Sequence, residues 1–296
     1  MKKLLIAILS IFLFTLTGCN ISTKSSVNPT TTLSFRTTTI NTTTITRSIS
    51  STSKTEKMVK LPDLTGMNRE EISITLDSLG ISHIFGFDQS KYYGNSGYNK
   101  FVSYNNLNIG DEIKQSKKIR VITSPLELPN IDQTALKFER DATGKSFIND
   151  SYGYVTWAGG YNDGDTAYFI DSVTKERFRV RFLAIDAPEV DHGDGGGDPW
   201  GDAASSYLRN LLQKAKSIIL ESDDDNSTAH DIYGRYLAFV WIDGILFNYG
   251  MVCEAYSNYT GTSKGKYKDY FLEAESLTSV TGRRFYGERD PNFHYS

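Results

Sequence analysis

Five short runs of alternating or continuous apolar residues shape the second half of this chain: Tyr154 to Trp157, Thr166 to Asp171, Arg177 to Ile185, Ser217 to Glu221 and Tyr236 to Ile242. Successive side chains of a strand point to opposite faces, so each run can bury one face and leave the other for solvent or a neighbouring helix. Asp243-Gly244, directly after the last run, is a hairpin signal. Helices are predicted at about Asp202 to Lys216, about Phe247 to Glu254 and about Lys268 to Thr281, the last with Phe271, Ala274 and Leu277 on one face. Short strands that close on themselves suit an OB-type barrel, so the expected class for residues 151–290 is mainly β plus α, an OB-fold five-stranded β-barrel with three helices.

A chain of 296 residues exceeds one typical domain, and its first part reads differently. Met1-Lys2-Lys3 and the apolar run to Leu16 have the charged start and short hydrophobic middle of an export signal. Leu16-Thr17-Gly18-Cys19 resembles a bacterial lipobox, which implies cleavage after residue 18, lipidation of Cys19 and attachment to the cell membrane on its extracellular face. The alternative is an ordinary export signal with an incidental cysteine. Residues 20–57 are dominated by Ser and Thr, without the apolar surface that would offset chain entropy, and are expected to be a disordered tether. Cys253 is the other cysteine, so no disulfide framework is expected, and its apolar helix suits a buried small hydrophobe.

Residues 58–125 form an expected small α+β unit. Leu61-Pro62-Asp63-Leu64-Thr65-Gly66-Met67 leads into a helix with Asn68 as N-cap, Glu71 completing a capping box, and Ile72, Leu76 and Leu79 at helical spacing. Gly80 stops the helix; strands are expected at Ile81 to Phe87 and, after the Asn108-Ile109-Gly110-Asp111 turn, at Ile119 to Ile122. The unit resembles a PASTA module, though its middle, Lys91 to Asn106, is longer and richer in tyrosine. The resemblance implies contact with peptidoglycan, against which stands a plain spacer role. Tyr92, Tyr93, Tyr98 and Tyr104 suit either sugar stacking or packing. Residues 126–150 are expected to be a linker.

Three charged motifs in the second half carry the chemistry: Asp163-Gly164-Asp165-Thr166, then Arg181 with Asp186-Ala187-Pro188-Glu189, then Asp231-Ile232-Tyr233-Gly234-Arg235. Each alone is a common turn or strand end. Together, two carboxylates can hold a hard cation, two guanidinium forks can grip a phosphate, and a further carboxylate can prepare water for attack. Their order and separation, over nearly all of residues 152–287, resemble the staphylococcal-type nuclease family. The resemblance implies calcium as cofactor, held by Asp165, Asp186 and the backbone carbonyl of Ala187, where the family usually has threonine. It implies that Arg181 and Arg235 grip the phosphate, that Glu189 orients or deprotonates the attacking water, and that Tyr256 and Tyr259 flank the nucleotide. It further implies DNA and RNA as substrates, cut with little sequence preference to leave a 3′-phosphate, and single-stranded or frayed substrate cut faster.

Two features depart from that pattern. Ile232 stands where the family commonly has lysine, and the loop Val190 to Gly201 carries Asp191, Asp194 and Asp198 among glycines. Residues 151–296 hold 14 Lys and Arg against 22 Asp and Glu, a balance of −8 that leaves +5 on the rest. Such a domain binds a polyanion weakly unless cations intervene. The acidic loop is read as solvated, with a second cation site as the alternative; Asp223-Asp224-Asp225 is read as a solvated turn, and His192 and His230 lack zinc-pair spacing. No protein partner is expected. The rival to an enzyme is a non-catalytic OB-fold nucleic-acid binder, or a lipoprotein whose wall-binding module is its principal function.

Overall fold

The computed structural model describes residues 56–94, 96–160, 163–191, 193, 195–225 and 227–295. The export signal, Cys19, nearly all of the Ser/Thr-rich tether, His192 and Asp194 lie outside the described residues. No described helix is long and apolar enough to cross a membrane.

The first layer begins with β1 (Met58–Lys60) and α1 (Arg69–Ser78) and continues with β2 (His83–Phe87), β3 (Phe101–Tyr104), β4 (Glu112–Lys114) and β5 (Ile119–Thr123). The capping box forms as expected: Glu71 N–H donates to Asn68 Oδ1 at 3.0 Å and Asn68 N–H to Glu71 Oε2 at 2.8 Å. Asn68→Ala should therefore lower the stability of this layer by about 1 kcal/mol, read as a shift in its urea midpoint; an unshifted midpoint would show that the cap carries no net energy. Ile72 and Leu76 pack with Leu61, Leu64, Ile113 and Val121 over a sheet ordered β2-β5-β3, with β2 and β5 parallel. Tyr98 and Tyr104 are buried, with hydroxyls on Glu288 and on the Pro62 carbonyl, so the tyrosine group is largely packing; Tyr92 remains exposed.

The second layer holds α2 (Phe147–Asp150), β6 (Tyr152–Trp157), β7 (Thr166–Asp171), β8 (Arg177–Phe182), β9 (Ile185–Asp186), α3 (Gly201–Lys214), β10 (Ile218–Glu221), β11 (Ala229–His230), β12 (Tyr236–Ile242), β13 (Ile245–Leu246), α4 (Phe247–Cys253), β14 (Asn258–Tyr259) and α5 (Lys268–Thr278). The sheet runs β10-β6-β7-β8-β12 and closes because β10 also pairs with β12; β8 and β12 run parallel, the other pairs antiparallel. This is the expected five-stranded closed barrel. Along β8, Phe178, Val180 and Phe182 point into the core while Arg177, Arg179 and Arg181 lie outside it. Asp243-Gly244 makes the turn into β13 with positive φ at both residues, as a two-residue hairpin loop of this hand requires.

The structure corrects two expectations. Residues 126–150 are packed structure: Leu136, Ala142 and Phe147 belong to the barrel core, Ser146 Oγ donates to the buried Asp171 at 2.9 Å, and Arg140 pairs with Glu221 and Asp225. An apolar content too sparse to read as a strand or helix still places three side chains in the core. Asp223-Asp224-Asp225 is also more than a solvated turn, since Asp224 pairs with Lys264 at 2.8 Å and Asp225 with Lys266 at 2.9 Å. Lys54–Ser296 form one compact unit, so the two layers are one body.

Candidate active site

Asp165 sits at the mouth of β7, nearly inaccessible, and is fixed three ways. Its backbone carbonyl accepts from Phe182 N–H at 2.8 Å, one carboxylate oxygen accepts from Ala187 N–H at 2.8 Å, and the other from Thr166 Oγ1 at 3.1 Å. The preceding residue must be small: a Cβ on Gly164 would lie 2.9 Å from both Ala187 Cβ and Ala204 Cβ. Close packing therefore explains the glycine between two aspartates.

Arg181 faces Thr166 across the β7–β8 pair and reaches both Asp165 and Asp186 with its guanidinium. Asp186 is carried by β9, which pairs with β14 so that Asn258 opposes it. The buried Ser257 hydroxyl accepts from Asp186 N–H and donates to Asp186 O, both at 2.9 Å, fixing the backbone while the carboxylate stays exposed. Further back, Asn248 on the apolar α4 accepts from Val240 N–H at 2.8 Å and donates to Leu183 O at 2.8 Å. That amide joins β12 to the turn leading into Asp186.

Arg235 ends the tight turn before β12. Asp231 holds it: Oδ1 accepts from the backbone N–H groups of Tyr233 and Arg235 at 2.9 Å, and Oδ2 from Arg235 Nε at 2.6 Å. Burial alone would raise the Asp231 carboxyl, but the hydrogen bonds from Arg235 and Tyr233 outweigh it and keep the group below the ordinary range. The Arg235 Nη1 lies 3.4 Å from Thr166 Oγ1, and the exposed Tyr233 ring has its centroid 5.4 Å from the guanidinium carbon. Ile232, at the position of the expected lysine, is 91% exposed and holds no contact that would substitute for a charge.

Glu189 follows the Ala187-Pro188 corner. Its N–H donates to Asp198 Oδ2 at 3.2 Å while its carbonyl accepts from Asp198 N–H at 2.9 Å. Asp191 Oδ1 in turn accepts from Gly193 and Gly195 N–H. Asp191 and Asp198 thus fold the acidic loop upon itself, and Asp198 fixes the backbone of Glu189. The residue is exposed, yet partial desolvation of its carboxyl, followed by the negative charge of Asp163 and lesser effects of Asp186 and Asp198, raises its pKa against the opposing pull of Arg181.

Two clefts meet at Asp186. One, of 410 Å³, is lined by Arg181, Asp186, Asp231, Tyr233, Arg235 and Leu237 among others. The second, of 510 Å³, has Asp186, Ala187 and Glu189 in its lining. The expected charged residues therefore converge, with Asp165 beneath them. Tyr256 and Tyr259 do not: Tyr256 stacks on Tyr207 at 5.3 Å with the Arg284 guanidinium 4.1 Å from its ring centre, and Tyr259 stacks on Phe271 at 5.3 Å. Tyr256 follows α4 and Tyr259 ends β14, and both are partly buried against the barrel core. Asp231, Ser257 and Asn248 went unassigned at the level of sequence; only Asp231 left a signal, its four-residue spacing from Arg235.

The donor set fits a hard cation. Asp165 and Asp186 pair with the same Arg181 guanidinium, and carboxylate oxygens are the donors that hard cations take. Among the described residues no three His, Cys, Asp or Glu side chains form a metal-holding group.

Residues 179–280 match the family model described as staphylococcal nuclease homologue, a stretch that contains Arg181, Asp186, Ala187, Glu189 and Arg235 and begins after Asp165. The matched stretch runs from β8 through α5 and is similar to that family over this part of the chain. Among curated proteins, the chain is 35% identical over 82 residues to endonuclease YncB of Bacillus subtilis (strain 168), covering 28% of this chain and 36% of that protein. It is 34% identical over 101 residues to the SPbeta prophage-derived endonuclease YokF of the same organism, covering 32% of each. It is 36% identical over 86 residues to thermonuclease of Staphylococcus intermedius, covering 29% of this chain and 48% of that one. The chain thus spans a third to a half of the length of these relatives.

Proposed function

We propose that this chain is a calcium-dependent nuclease that hydrolyses phosphodiester bonds in DNA and RNA, held at the outer face of the cell membrane by a lipid on Cys19. The observation that carries the reading is the convergence of Arg181, Asp186 and Arg235 on one cleft, with Glu189 at the adjoining edge. The names of the relatives, endonuclease and thermonuclease, support it.

Asp165, Asp186 and the Ala187 carbonyl would hold calcium, whose charge would offset that of the phosphate oxygens. The Arg181 fork, which pairs with both carboxylates here, would then be free to grip the phosphate beside Arg235, which Asp231 aims. Planar guanidinium groups pair with two phosphate oxygens and bind more strongly as charge builds in the transition state. Glu189, with its raised pKa, accepts a proton from the attacking water at its carboxylate; a base is most effective when its pKa approaches the working pH. The cleft offers Leu237 and the exposed ring of Tyr233 as apolar contacts, surfaces that accept any base. That supports weak sequence preference. The lipobox-like Leu16-Thr17-Gly18-Cys19 supports the anchor.

Digestion of plasmid DNA and of RNA by the full-length chain, with calcium, with magnesium and with chelator, tests the proposal. Digestion in calcium that stops in chelator is the expected result. Undiminished digestion in chelator removes the cation from the account, and no digestion under any condition removes the enzyme.

A further inference from the structure

We infer that the 510 Å³ cleft beyond Glu189 is a second nucleotide subsite, in which Arg289 takes one phosphate and Phe285 supports the base of the nucleotide next to the bond that is cut. The inference rests on the nuclease reading and adds to it a substrate contact made by the C-terminal segment. Asp186 and Glu189 belong to the lining of this cleft, so a strand whose scissile phosphate lies at Asp186 has a path along Glu189 into it. Its volume lies in the range of sites that enclose a small molecule.

The charges of the lining single out Arg289. Glu288 is buried and already satisfied by Arg283 Nε at 2.9 Å and the Tyr98 hydroxyl at 2.9 Å. Arg284 is committed to Glu254 at 3.1 Å. Arg289 has no ion pair among the described residues; its guanidinium carbon stacks 3.8 Å from the ring centre of Tyr295, itself half exposed at 39%. An arginine held flat on an aromatic ring keeps its edge donors for an anion. Phe285, 37% exposed, offers a ring face on the same cleft. With Asp186, Glu189 and Asp198 also present, the cleft accommodates one phosphate beside a base and repels a denser polyanion.

The α/β layer completes the cleft. Gln89 lines it, and the two layers approach so closely that a Cβ on Gly282 would lie 2.6 Å from the Phe87 ring and one on Gly287 2.2 Å from Gln89 Nε2. Trp200 joins the same wall through Nε1 to Glu288 O and N–H to Asp290, both at 2.7 Å. The first layer is thus part of the substrate surface.

The test uses the full-length chain in a Glu189→Gln background, so that binding is read without turnover, with labelled hexathymidylate and dithymidylate in calcium. The parent should prefer the hexamer, and Arg289→Ala should reduce that preference about tenfold, the loss of one charge-assisted phosphate contact. Arg289→Lys should restore part of it, and Phe285→Ala should reduce it by another route. A preference unchanged in Arg289→Ala overturns the subsite, as does a parent with no preference or no binding. Because the readout is binding, a chain that binds the hexamer in this way but fails to cut DNA with Glu189 intact sinks the nuclease reading alone.

Discussion

Arg235→Lys will lower the turnover of DNA by about a hundredfold or more while leaving the melting temperature almost unchanged. The side chain is half buried at the end of a surface turn and contributes nothing to the barrel core, so the fold does not depend on it. Its function depends on shape. Asp231 takes the Nε edge at 2.6 Å and leaves the Nη atoms directed at Thr166 and the cleft, a division of donors that a single ammonium cannot reproduce. Retaining positive charge at residue 235 separates the fork from the charge. A kcat within a few-fold of the parent would show that charge alone suffices and that Arg235 does not grip the phosphate in two places.

Glu189→Gln should reduce turnover by about 10²–10⁴-fold, the usual contribution of a positioned base. Two further readouts separate that role from a structural one. The catalytic form is the carboxylate, so activity should fall as pH drops through the Glu189 pKa, an acid limb that the glutamine variant lacks. For stability the sign is opposite to that of a salt-bridged carboxylate. The folded state holds the proton more tightly than the unfolded chain, so Glu189 costs stability as pH rises from the ordinary to the raised value. Replacing it by glutamine removes that cost, and the variant should melt slightly higher at neutral pH. A slow variant that also melts lower, with an unshifted acid limb, would mark Glu189 as a support for its loop.

The two variants share a cause. Each residue is held at the barrel edge by a neighbouring aspartate, Asp231 for Arg235 and Asp198 for Glu189, and in both cases the aspartate accepts backbone N–H groups. Neither aspartate has to touch substrate to matter. The −8 balance of residues 151–296 thus has a structural component: part of the acidic excess shapes turns and aims the basic groups, while Asp224 and Asp225 pair with lysines and Arg140.

The strands of the barrel were legible because period-two alternation is imposed by the pleat itself: Phe178, Val180 and Phe182 read as one face in sequence and are one face in space. Asn68 with Glu71 was equally legible, since a capping box is contained within four residues. The motif residues Asp165, Arg181, Asp186, Glu189 and Arg235 were named from the family resemblance, and the structure brings Arg181, Asp186 and Arg235 to one cleft. Tyr256 and Tyr259 were not legible, because an aromatic ring near a site looks the same in sequence whether it faces substrate or, as here, Tyr207 and Phe271. Residues 126–150 were misread as linker for a related reason: Phe147 and Leu136 have no periodic partners, and only the finished barrel provides the surface they cover.

Local order, then, was determined by the sequence alone: where strands and helices run, how α1 begins, and which charged groups gather. Tertiary structure decided what no spacing can encode. It put Asn248 on Leu183, Tyr98 against Glu288, and Arg289 on the same cleft as Glu189, pairs separated by tens to hundreds of residues whose meeting depends on barrel closure and on the approach of two layers at Gly282 and Gly287. Alternation and capping arise within a few residues of backbone, whereas the partner of a buried amide or an exposed guanidinium is chosen only when distant surfaces are packed together.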